Sequence, residues 1–236
     1  MNVLITTGPS WEPLDGMRRL TNASTGRLGT VLADAFARAG WKVELFRGET
    51  SSHVLPPREA RVETFSTNDD LTQRLARRAQ GPTPDAVLHA AALCDYRTVR
   101  ILDSCGRTVK DAKTATRDGR MTVELEPAAK VLPRLRGWFP HSRIFGWKYE
   151  LDGDRIRAVA RARRQIRAAA TDGCVVNGAA YGSGFGLCIG DADPVDVPDA
   201  ESLGLLLVRW LAELTTACGA RSVSSTMAAQ VDGGAR

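Results

Sequence analysis

The sequence has few histidines, and its cysteines are not spaced as in disulfide-rich domains or metal sites. It has three widely spaced histidines and no CxxC pair. Its five cysteines are scattered, at Cys94, Cys105, Cys174, Cys188 and Cys218. An odd, unclustered set of cysteines is typical of free thiols in a reducing compartment, so we expect a cytoplasmic protein. The histidine spacing argues against a dedicated zinc site.

Long apolar runs are also lacking, and residues 1–6 do not have the pattern of a leader sequence. The longest apolar run begins at Leu203 and is interrupted by Arg209, so we expect no membrane-spanning segment and no membrane partner. Residues 1–6 are apolar but have no basic residues ahead of them and no long apolar centre. They predict a first buried strand rather than a secretory leader.

Lysine is scarce, with five lysines against 27 arginines in a chain whose net charge is +5. Four of the lysines fall close together, at Lys110, Lys113, Lys130 and Lys148. A small positive excess suits an anionic small-molecule substrate better than a nucleic acid. No aromatic interleaving or nucleic-acid motif accompanies the basic helix predicted at 155–167, so we expect no nucleic-acid partner. The lysine cluster has a simpler interpretation, because a few solvated lysines cluster easily by chance.

The chain does have alternating apolar strands and amphipathic helices, 43% of its residues being hydrophobic. The patterns predict strands at 1–6, 42–46, 61–65, 86–92, 121–125, 143–147 and 174–176, and helices at 26–39, 67–79, 128–139, 155–170 and 203–214. This alternation predicts an α/β fold with an open, mostly parallel sheet and right-handed crossovers. We expect Pro133 to kink its helix and Ile156 to face the core. A single domain is predicted over 1–218, followed by a disordered tail at 219–236.

The loop between residues 7 and 25 is long for a connection from a strand to a helix. Ligands of open parallel sheets bind beyond the carboxyl ends of the strands, so this loop is a candidate site. It ends in hydroxyls and Gly26 at a helix start, which suit a phosphate or carboxylate. An ordinary N-cap with a turn glycine explains the same residues equally well. The loop matches neither GxGxxG nor GxxxxGK[ST], so the usual dinucleotide and P-loop signatures are absent.

A second candidate loop follows the strand at 86–92. Its small residues, Ala90 to Ala92, would let a ligand approach the backbone closely, and Asp95 could accept a hydrogen bond from a base or hold a magnesium ion. A buried strand with a polar end is the simpler interpretation. Lys110 and Lys113 lie in an irregular, glycine-containing segment that we interpret as a mobile flap.

These segments resemble the phosphopantothenate–cysteine ligase family of coenzyme A biosynthesis. Residues 3–29 are similar to the family's opening ITAGGTxEPxDxVRxxxNxSSGxxG, and residues 90–97 resemble its AAAVADYR. Residues 175–177, followed by 184–186, resemble its VANDV and GFG elements. The resemblance extends from about residue 1 to residue 215. It implies a Rossmann-like sheet with helices on both faces and a mobile flap.

The resemblance also implies a reaction. A nucleoside triphosphate would activate the carboxylate of 4'-phosphopantothenate as an acyl nucleotidylate and release pyrophosphate. The amine of cysteine would then form the amide and release a nucleoside monophosphate. The implied co-substrate is CTP or ATP with Mg²⁺, no flavin is expected because the flavin-binding decarboxylase domain is not in this chain, and a homodimer is implied.

The family's functional residues carry over position by position. The implied catalytic residues are Asn22, which would act on the acyl intermediate, and Lys110, which would attend the triphosphate from the flap. The implied contacts to the substrate phosphate are Ser24, Thr25, Gly26 and Arg27. The implied nucleotide contacts are Gly8, Ala90, Ala91, Ala92, Asp95, Lys113, Lys130, Val131, Trp147, Lys148, Arg164 and Asn177, with Asp95 also the candidate metal ligand.

Some segments depart from the bacterial pattern. Residues 128–131 and 146–150 look more like the eukaryotic branch, which uses ATP, whereas the bacterial branch uses CTP. Two expected lysines fall near Gln165 and Ala169, and Arg163 or Arg164 could replace one of them. The alternatives are a ligase with a different acid or amine, a non-catalytic nucleotide-binding regulator, and a short-chain dehydrogenase-like oxidoreductase. The last of these would need a Tyr-xxx-Lys pair, which the chain lacks.

Overall fold

The computed structural model describes residues 1–53, 59–109 and 119–213. The strands are β1 (Asn2–Thr7), β2 (Trp11–Pro13), β3 (Arg19–Thr21), β4 (Lys42–Gly48), β5 (Ala60–Phe65), β6 (Ala86–His89), β7 (Tyr96–Leu102), β8 (Thr122–Pro127), β9 (Arg143–Tyr149), β10 (Gly173–Asn177), β11 (Phe185–Cys188) and β12 (Val195–Val197). The helices are α1 (Arg27–Arg38), α2 (Asn68–Arg78), α3 (Leu132–Trp138), α4 (Arg155–Ala169) and α5, described over 200–213.

The described strands build one eight-stranded sheet in the order β12-β11-β10-β9-β6-β1-β4-β5. The six strands from β10 to β5 are mutually parallel, while β11 and β12 form an antiparallel edge. Numbered along the chain, the parallel strands follow the order 3-2-1-4-5-6, which is that of Rossmann folds. The predicted α/β architecture is therefore confirmed. The winding reverses between β1 and β6, so the ligand crevice is expected at their carboxyl ends.

Helices cover both faces of the sheet because side chains alternate along each strand. Ile5 of β1 packs with α1 and α5 on one face, whereas Leu4 packs with α2 and α3 on the other. Helix α4 covers β10 and β11 on the same side as α2 and α3. The crossover helices thus bury the sheet between two apolar layers and leave the strand ends open.

Two antiparallel hairpins project from the carboxyl edge. Strands β2 and β3 lie inside the long loop after β1, and β7 and β8 form an arm after β6. The region 93–118 shows no period in the sequence, yet it contains β7. The arm is solvated on most of its surface, with Ile101 the only residue of β7 that is buried, so no alternation of apolar and polar residues marks it.

Two local predictions are wrong. Pro133 does not kink a long helix, because it lies in the first turn of α3. A backbone N–H in the first turn has no acceptor within the helix, so its absence in proline costs no hydrogen bond. Ile156 is 82% exposed rather than inward. The buried side of α4 includes Ala158 and Ala162, and Ile156 lies about 120° around the helix from Ala162.

In the three described ranges, no helix combines the length and the apolarity that crossing a bilayer requires. The flap lysines Lys110 and Lys113 and the tail predicted at 219–236 lie outside the described residues. The same holds for the last residues of the domain predicted over 1–218.

Candidate functional site

The loops after β1 and β6 run side by side beyond the sheet. The Ala90 N–H donates to the Thr6 carbonyl at 3.0 Å, and the Ala92 N–H donates to the Gly8 carbonyl at 2.9 Å. The Ser10 N–H donates back to the Ala92 carbonyl at 3.3 Å. The two loops that the sequence singles out therefore form one continuous floor at the point where the winding reverses.

A buried polar network fixes this floor to the start of α2. The Ser10 hydroxyl donates to Asn68 Oδ1 at 2.7 Å and accepts from the Cys94 N–H at 2.8 Å. The Asn68 amide donates to the Cys94 carbonyl at 2.8 Å. A network whose members are all hydrogen-bonded is rigid, so it holds both loops in place. Asn68 lies at the start of the helix predicted at 67–79, and no local signal in the sequence identifies its role in this network.

Asn22 joins the two predicted motifs directly. Its side-chain amide donates to the carbonyls of Ala92 and Leu93, at 3.2 and 2.9 Å. Its Oδ1 atom has no partner in the described part of the chain. The structure thus places the predicted catalytic asparagine against the predicted nucleotide loop, on an exposed part of the edge where a ligand can reach it.

The start of α1 is built around glycines. Gly26 is the N-cap residue, has a φ of 77° and makes no side-chain capping bond. Gly8 has a φ of 78°, and a Cβ atom on Gly8 or Gly26 would approach Ser51 Oγ to 2.0 or 2.8 Å. Side chains at either position would therefore clash. The Arg27 N–H donates to the Thr25 hydroxyl at 3.3 Å, but Gly26 has no side chain to cap the N–H groups of Leu28 and Gly29, which makes this end of α1 suitable for an anion.

Asp95 and Lys130 form an exposed ion pair between the loop after β6 and the start of α3. The Asp95 carbonyl also accepts from the Ala128 N–H at 2.8 Å, which fixes the base of the arm. Two of the residues predicted to contact a nucleotide are therefore in contact with each other. Val131, the next predicted contact, is buried in the core under α3 instead of lining the edge.

Lys148 lies at the end of β9, where its ammonium is 3.5 Å from a carboxylate oxygen of Glu150. Glu150 is 8% exposed and also pairs with Arg161 of α4. The Gln165 amide reaches the same strand end and donates to the Trp147 carbonyl at 3.2 Å. Sequence reasoning did not assign a role to Gln165, which contacts this strand end where a lysine was expected from the resemblance.

The remaining predicted nucleotide contacts have mixed placements. The indole Nε1 of Trp147 is buried and has no hydrogen-bond partner among the described residues. Asn177 ends β10 beside β9, and its carbonyl accepts from the Glu150 N–H at 2.9 Å. Arg164 is exposed and lines a shallow groove on α4 with the row of arginines Arg157, Arg161 and Arg167. The structure does not bring Arg164 to the strand ends.

His89 is the last residue of β6 and lies directly under the floor. Its ring Nδ1 is 2.7 Å from the Thr6 hydroxyl, and burial lowers the pKa of the imidazole to about 4. The ring is therefore neutral at physiological pH. Sequence reasoning excluded a metal role for the histidines but gave no hint of this contact between two neighbouring strands.

The described part of the chain contains no group of three or more His, Cys, Asp or Glu side chains placed to hold a metal ion. Asp95 offers one carboxylate, which Lys130 occupies. This donor set fits a Mg²⁺ ion that takes most of its oxygen ligands from phosphates and water.

Comparisons with known proteins decide the family. A family model described as the DNA/pantothenate metabolism flavoprotein C-terminal domain matches residues 1–191. The chain belongs to this family.

Its curated relatives include the coenzyme A biosynthesis bifunctional protein CoaBC of Escherichia coli (strain K12). The two are 32% identical over 164 residues, which cover 70% of this chain and 38% of the relative. The protein of the same name in Mycobacterium bovis is 30% identical over 189 residues, covering 78% of this chain and 43% of that one. The chain spans about two fifths of the length of these curated relatives.

Solved structures share the fold of this family member. The DNA/pantothenate metabolism flavoprotein from Streptococcus pneumoniae superposes with a TM-score of 0.80 at 20% identity, covering 91% of this chain and 99% of that one. A Cab2 mutant in complex with phosphopantothenate-cysteine superposes with a TM-score of 0.70 at 18% identity, covering 94% and 88%. At these identities the likeness shows the fold.

Proposed function

We propose that this chain ligates 4'-phosphopantothenate with cysteine through an acyl-nucleotidylate intermediate, as a step of coenzyme A biosynthesis. Membership of the family supports the proposal, because curated relatives carry the name of a coenzyme A biosynthesis protein. The observation that carries it is the bond from the Asn22 amide to the carbonyls of Ala92 and Leu93. That contact unites the asparagine motif and the alanine-rich loop in one crevice.

The electrostatics of the edge match the proposed chemistry. The phosphate of the acid substrate would lie at the start of α1, against Ser24, Thr25, Gly26 and Arg27, where uncapped N–H groups and the helix dipole favour an anion. Arg27 can turn toward the phosphate because its ion pair with Glu201, at 3.1 Å, is exposed. The acid and the nucleotide are both anionic, so bringing them together requires positive charge and oriented donors.

The nucleotide would lie on the other side of Asn22. We assign it to Gly8, to Ala90–Ala92 and to the cations Lys130 and Lys148, with Asn177 at the end of β10. Asn22 would then be between the two substrates, where its amide can donate to the acyl oxygen as negative charge develops there. The flap lysines Lys110 and Lys113, outside the described residues, are proposed to attend the triphosphate. Mg²⁺ would be held by the phosphates and Asp95, and would offset their charge.

A product assay with each of the four nucleoside triphosphates tests this function and decides between CTP and ATP. We expect pyrophosphate only when nucleotide and phosphopantothenate are both present. Adding cysteine should then give the amide and a nucleoside monophosphate, both detectable by mass spectrometry. A purified chain that is silent with all four nucleotides, at every cysteine concentration, would contradict the proposal. Omitting the acid is the control for background nucleotide hydrolysis.

We also propose a homodimer formed through the arm. Apolar side chains are exposed on β7, on β8 and in the turn of the neighbouring hairpin, at Tyr96, Val99, Leu125 and Met17. A second copy of the chain would cover such a patch. Sedimentation should give a dimer that Val99→Lys together with Leu125→Lys converts to a monomer, while Leu205→Lys on exposed α5 leaves it intact. A wild-type monomer, or a double variant that stays dimeric, would contradict this assembly.

A cytoplasmic location is proposed on the state of the cysteines. Cys174 and Cys188 are register partners on β10 and β11, and they are buried and free. Burial raises the pKa of the Cys174 thiol well above its usual range, which keeps it unreactive. Two facing thiols that remain reduced suit a reducing compartment.

A further inference from the structure

Arg47 carries a charge that the described residues do not neutralise. It lies near the carboxyl end of β4, its Nε atom is buried without a hydrogen-bond partner, and no acidic side chain of the described ranges pairs with it. Another half-buried arginine, Arg78, is paired with Glu44 at 2.7 Å. Because a buried charge is costly unless it is paired, an unpaired guanidinium at an open strand end points to an anionic ligand.

The position of Arg47 indicates where the anion would bind. Arg47 is the register partner of Thr7, so the two side chains share the face of the sheet that α1 covers. The Thr7 hydroxyl donates to the Gly26 carbonyl at 3.3 Å, and a Cβ atom on Gly29 would clash with Thr7. Arg47 therefore lies beside the first turn of α1, the end that is free of a side-chain cap.

The loop at 49–53 connects Arg47 to that helix start. The Arg47 guanidinium donates through Nη2 to the carbonyls of Ser51, at 3.1 Å, and of His53. The His53 N–H in turn donates to the Thr25 carbonyl at 2.9 Å. The Ser51 hydroxyl fills the notch left by Gly8 and Gly26, and it is buried without a partner. One cation thus supports the loop that contacts the residues assigned to the substrate phosphate.

We propose that Arg47 is a positioning residue that supplies the counter-charge for a phosphomonoester bound at the start of α1, and so selects the phosphorylated acid over its unphosphorylated form. This inference rests on the proposed function and names the part of the site that recognises the phosphate. Arg27 is exposed, so solvent screens its charge, whereas Arg47 is half-buried and its charge is screened less. A phosphate dianion would pair the charge of Arg47 and use the free N–H groups of α1 at the same time.

Kinetics of Arg47→Met test the proposal, with Arg61→Met on exposed β5 as the matched control. We expect the KM for phosphopantothenate to rise at least about tenfold, the loss typical of a charge-assisted contact. The KM for the nucleotide and kcat should change less than about twofold, and Arg47→Lys should recover part of the loss because it retains the charge. An unchanged KM for phosphopantothenate, or an equal rise for both substrates, would overturn the inference.

Direct binding separates this inference from the proposed ligation. Calorimetry with inorganic phosphate, phosphopantothenate and pantothenate needs no turnover. We expect Arg47→Met to weaken binding of the first two and to leave pantothenate unaffected. If phosphate binds through Arg47 but no nucleotide yields product, the ligation fails and the inference stands. If product forms while Arg47→Met and Arg47→Lys bind phosphopantothenate like the wild type, the inference fails. Should Arg47→Met not fold, Arg47→Gln takes its place, because it removes the charge but keeps an amide donor for the carbonyls of Ser51 and His53. The same weakening of phosphate binding is expected, and wild-type binding by Arg47→Gln would overturn the inference.

Discussion

The two edges of the sheet are built in different ways, and the amino edge contains a fully hydrogen-bonded carboxylate. Between α3 and β10, Asp172 accepts from the guanidinium groups of Arg136 and Arg143 at 2.6 and 2.9 Å, and from the Ile144 N–H at 2.8 Å. Burial alone would raise the pKa of this carboxyl, but these bonds outweigh it and lower the pKa below its usual range. Every polar atom of the Asp172 carboxylate has a partner, so this edge holds the fold together.

The carboxyl edge leaves polar atoms without partners. The buried atoms without hydrogen bonds in the described residues include Arg47 Nε, Ser51 Oγ and Trp147 Nε1, and all three belong to the carboxyl ends of β4 and β9 or the loop after β4. Buried polar groups are normally satisfied, so each exception calls for an explanation. At the amino edge Thr171 Oγ1 is also buried without a partner, so the contrast between the edges is one of degree. It teaches that charged groups are paired at the amino edge, whereas the Arg47 guanidinium at the carboxyl edge has no acidic partner among the described residues.

The largest expected effect is the loss of activity when the Asn22 side chain is removed from the carboxyl edge. Asn22→Ala should slow amide formation about 100-fold or more, as for loss of one donor to a developing oxyanion, while nucleotide consumption remains partly intact. A coupled assay of pyrophosphate and amide measures both steps. Because Asn22 is exposed, thermal unfolding should be nearly unchanged and serves as the control. A variant that makes product at the normal rate would show that the role given to Asn22 is wrong.

The next effect concerns His89 and pH. The native imidazole has a pKa of about 4, against 6.5 when exposed. Between these values the unfolded chain binds a proton that the native protein does not, so the free energy of unfolding falls as pH falls. Above about pH 6.5 the neutral His89 costs no stability. As the pH falls from 6.5 to about 4, the free energy of unfolding should fall by about 3 kcal/mol.

Denaturant titrations at several pH values measure the His89 effect. The difference in unfolding free energy between wild type and His89→Gln should change through the window from pH 6.5 to about 4. Ile156→Gln, at an 82% exposed residue without a titratable group, is the control and should give a flat difference. Parallel curves for wild type and His89→Gln would contradict the prediction.

At the amino edge, Asp172→Ala should reduce the free energy of unfolding by about 2 kcal/mol, because it strips two guanidinium groups and a backbone N–H of their acceptor. Activity per folded molecule should stay at the wild-type level, since the residue lies at the other end of the strands from the crevice. Asp191→Ala, on an exposed carboxylate, is the control for stability. A large loss of activity without loss of stability would break the contrast between the edges.

The smallest effect on stability is expected for Lys130→Gln. The Lys130 and Asp95 side chains are 60% and 69% exposed, and pairs of this kind contribute less than about 0.5 kcal/mol. The KM for the nucleotide should nevertheless rise, because the ammonium is assigned to the triphosphate. Paired measurements of unfolding and kinetics check both halves. A marked loss of stability would mean that this ion pair supports the fold after all.

Much of the architecture is visible in local patterns. Apolar strands such as Ala86–His89 alternate with amphipathic helices such as α1, and this alone predicts an α/β fold. The order of the strands is not visible, because pairing β1 with β6 depends on contacts between distant segments. The arm escaped prediction because a hairpin exposed on most of its surface has no apolar face to produce a period.

The candidate site also has a part that the sequence could suggest and a part that only the structure shows. Gly26 stands out in the sequence because it lies at a helix start after a strand, and Asn22 because of the family resemblance, so both could be named as candidates from the sequence. Arg47 is one of 27 arginines, and nothing local distinguishes it from the rest. Its lack of an acidic partner among the described residues is visible only in three dimensions, as is the hydrogen bond between Ser10 and Asn68, which lie 58 positions apart in the chain. Charge balance and buried polar contacts had to come from the structure.

The place of β1 in the chain has a consequence for how the protein is made. This strand is made before the other strands of the sheet, yet it ends up in the middle of the sheet, and Thr6 meets His89 across 83 positions. A nascent chain must extend past β6 before the second neighbour of β1 can pair. Until then, one side of an apolar strand is an open edge, which is a template for aggregation. Translation that stalls before residue 86 should therefore yield insoluble fragments, and a slow ribosome or a holding chaperone would affect the yield more than the stability of the finished fold.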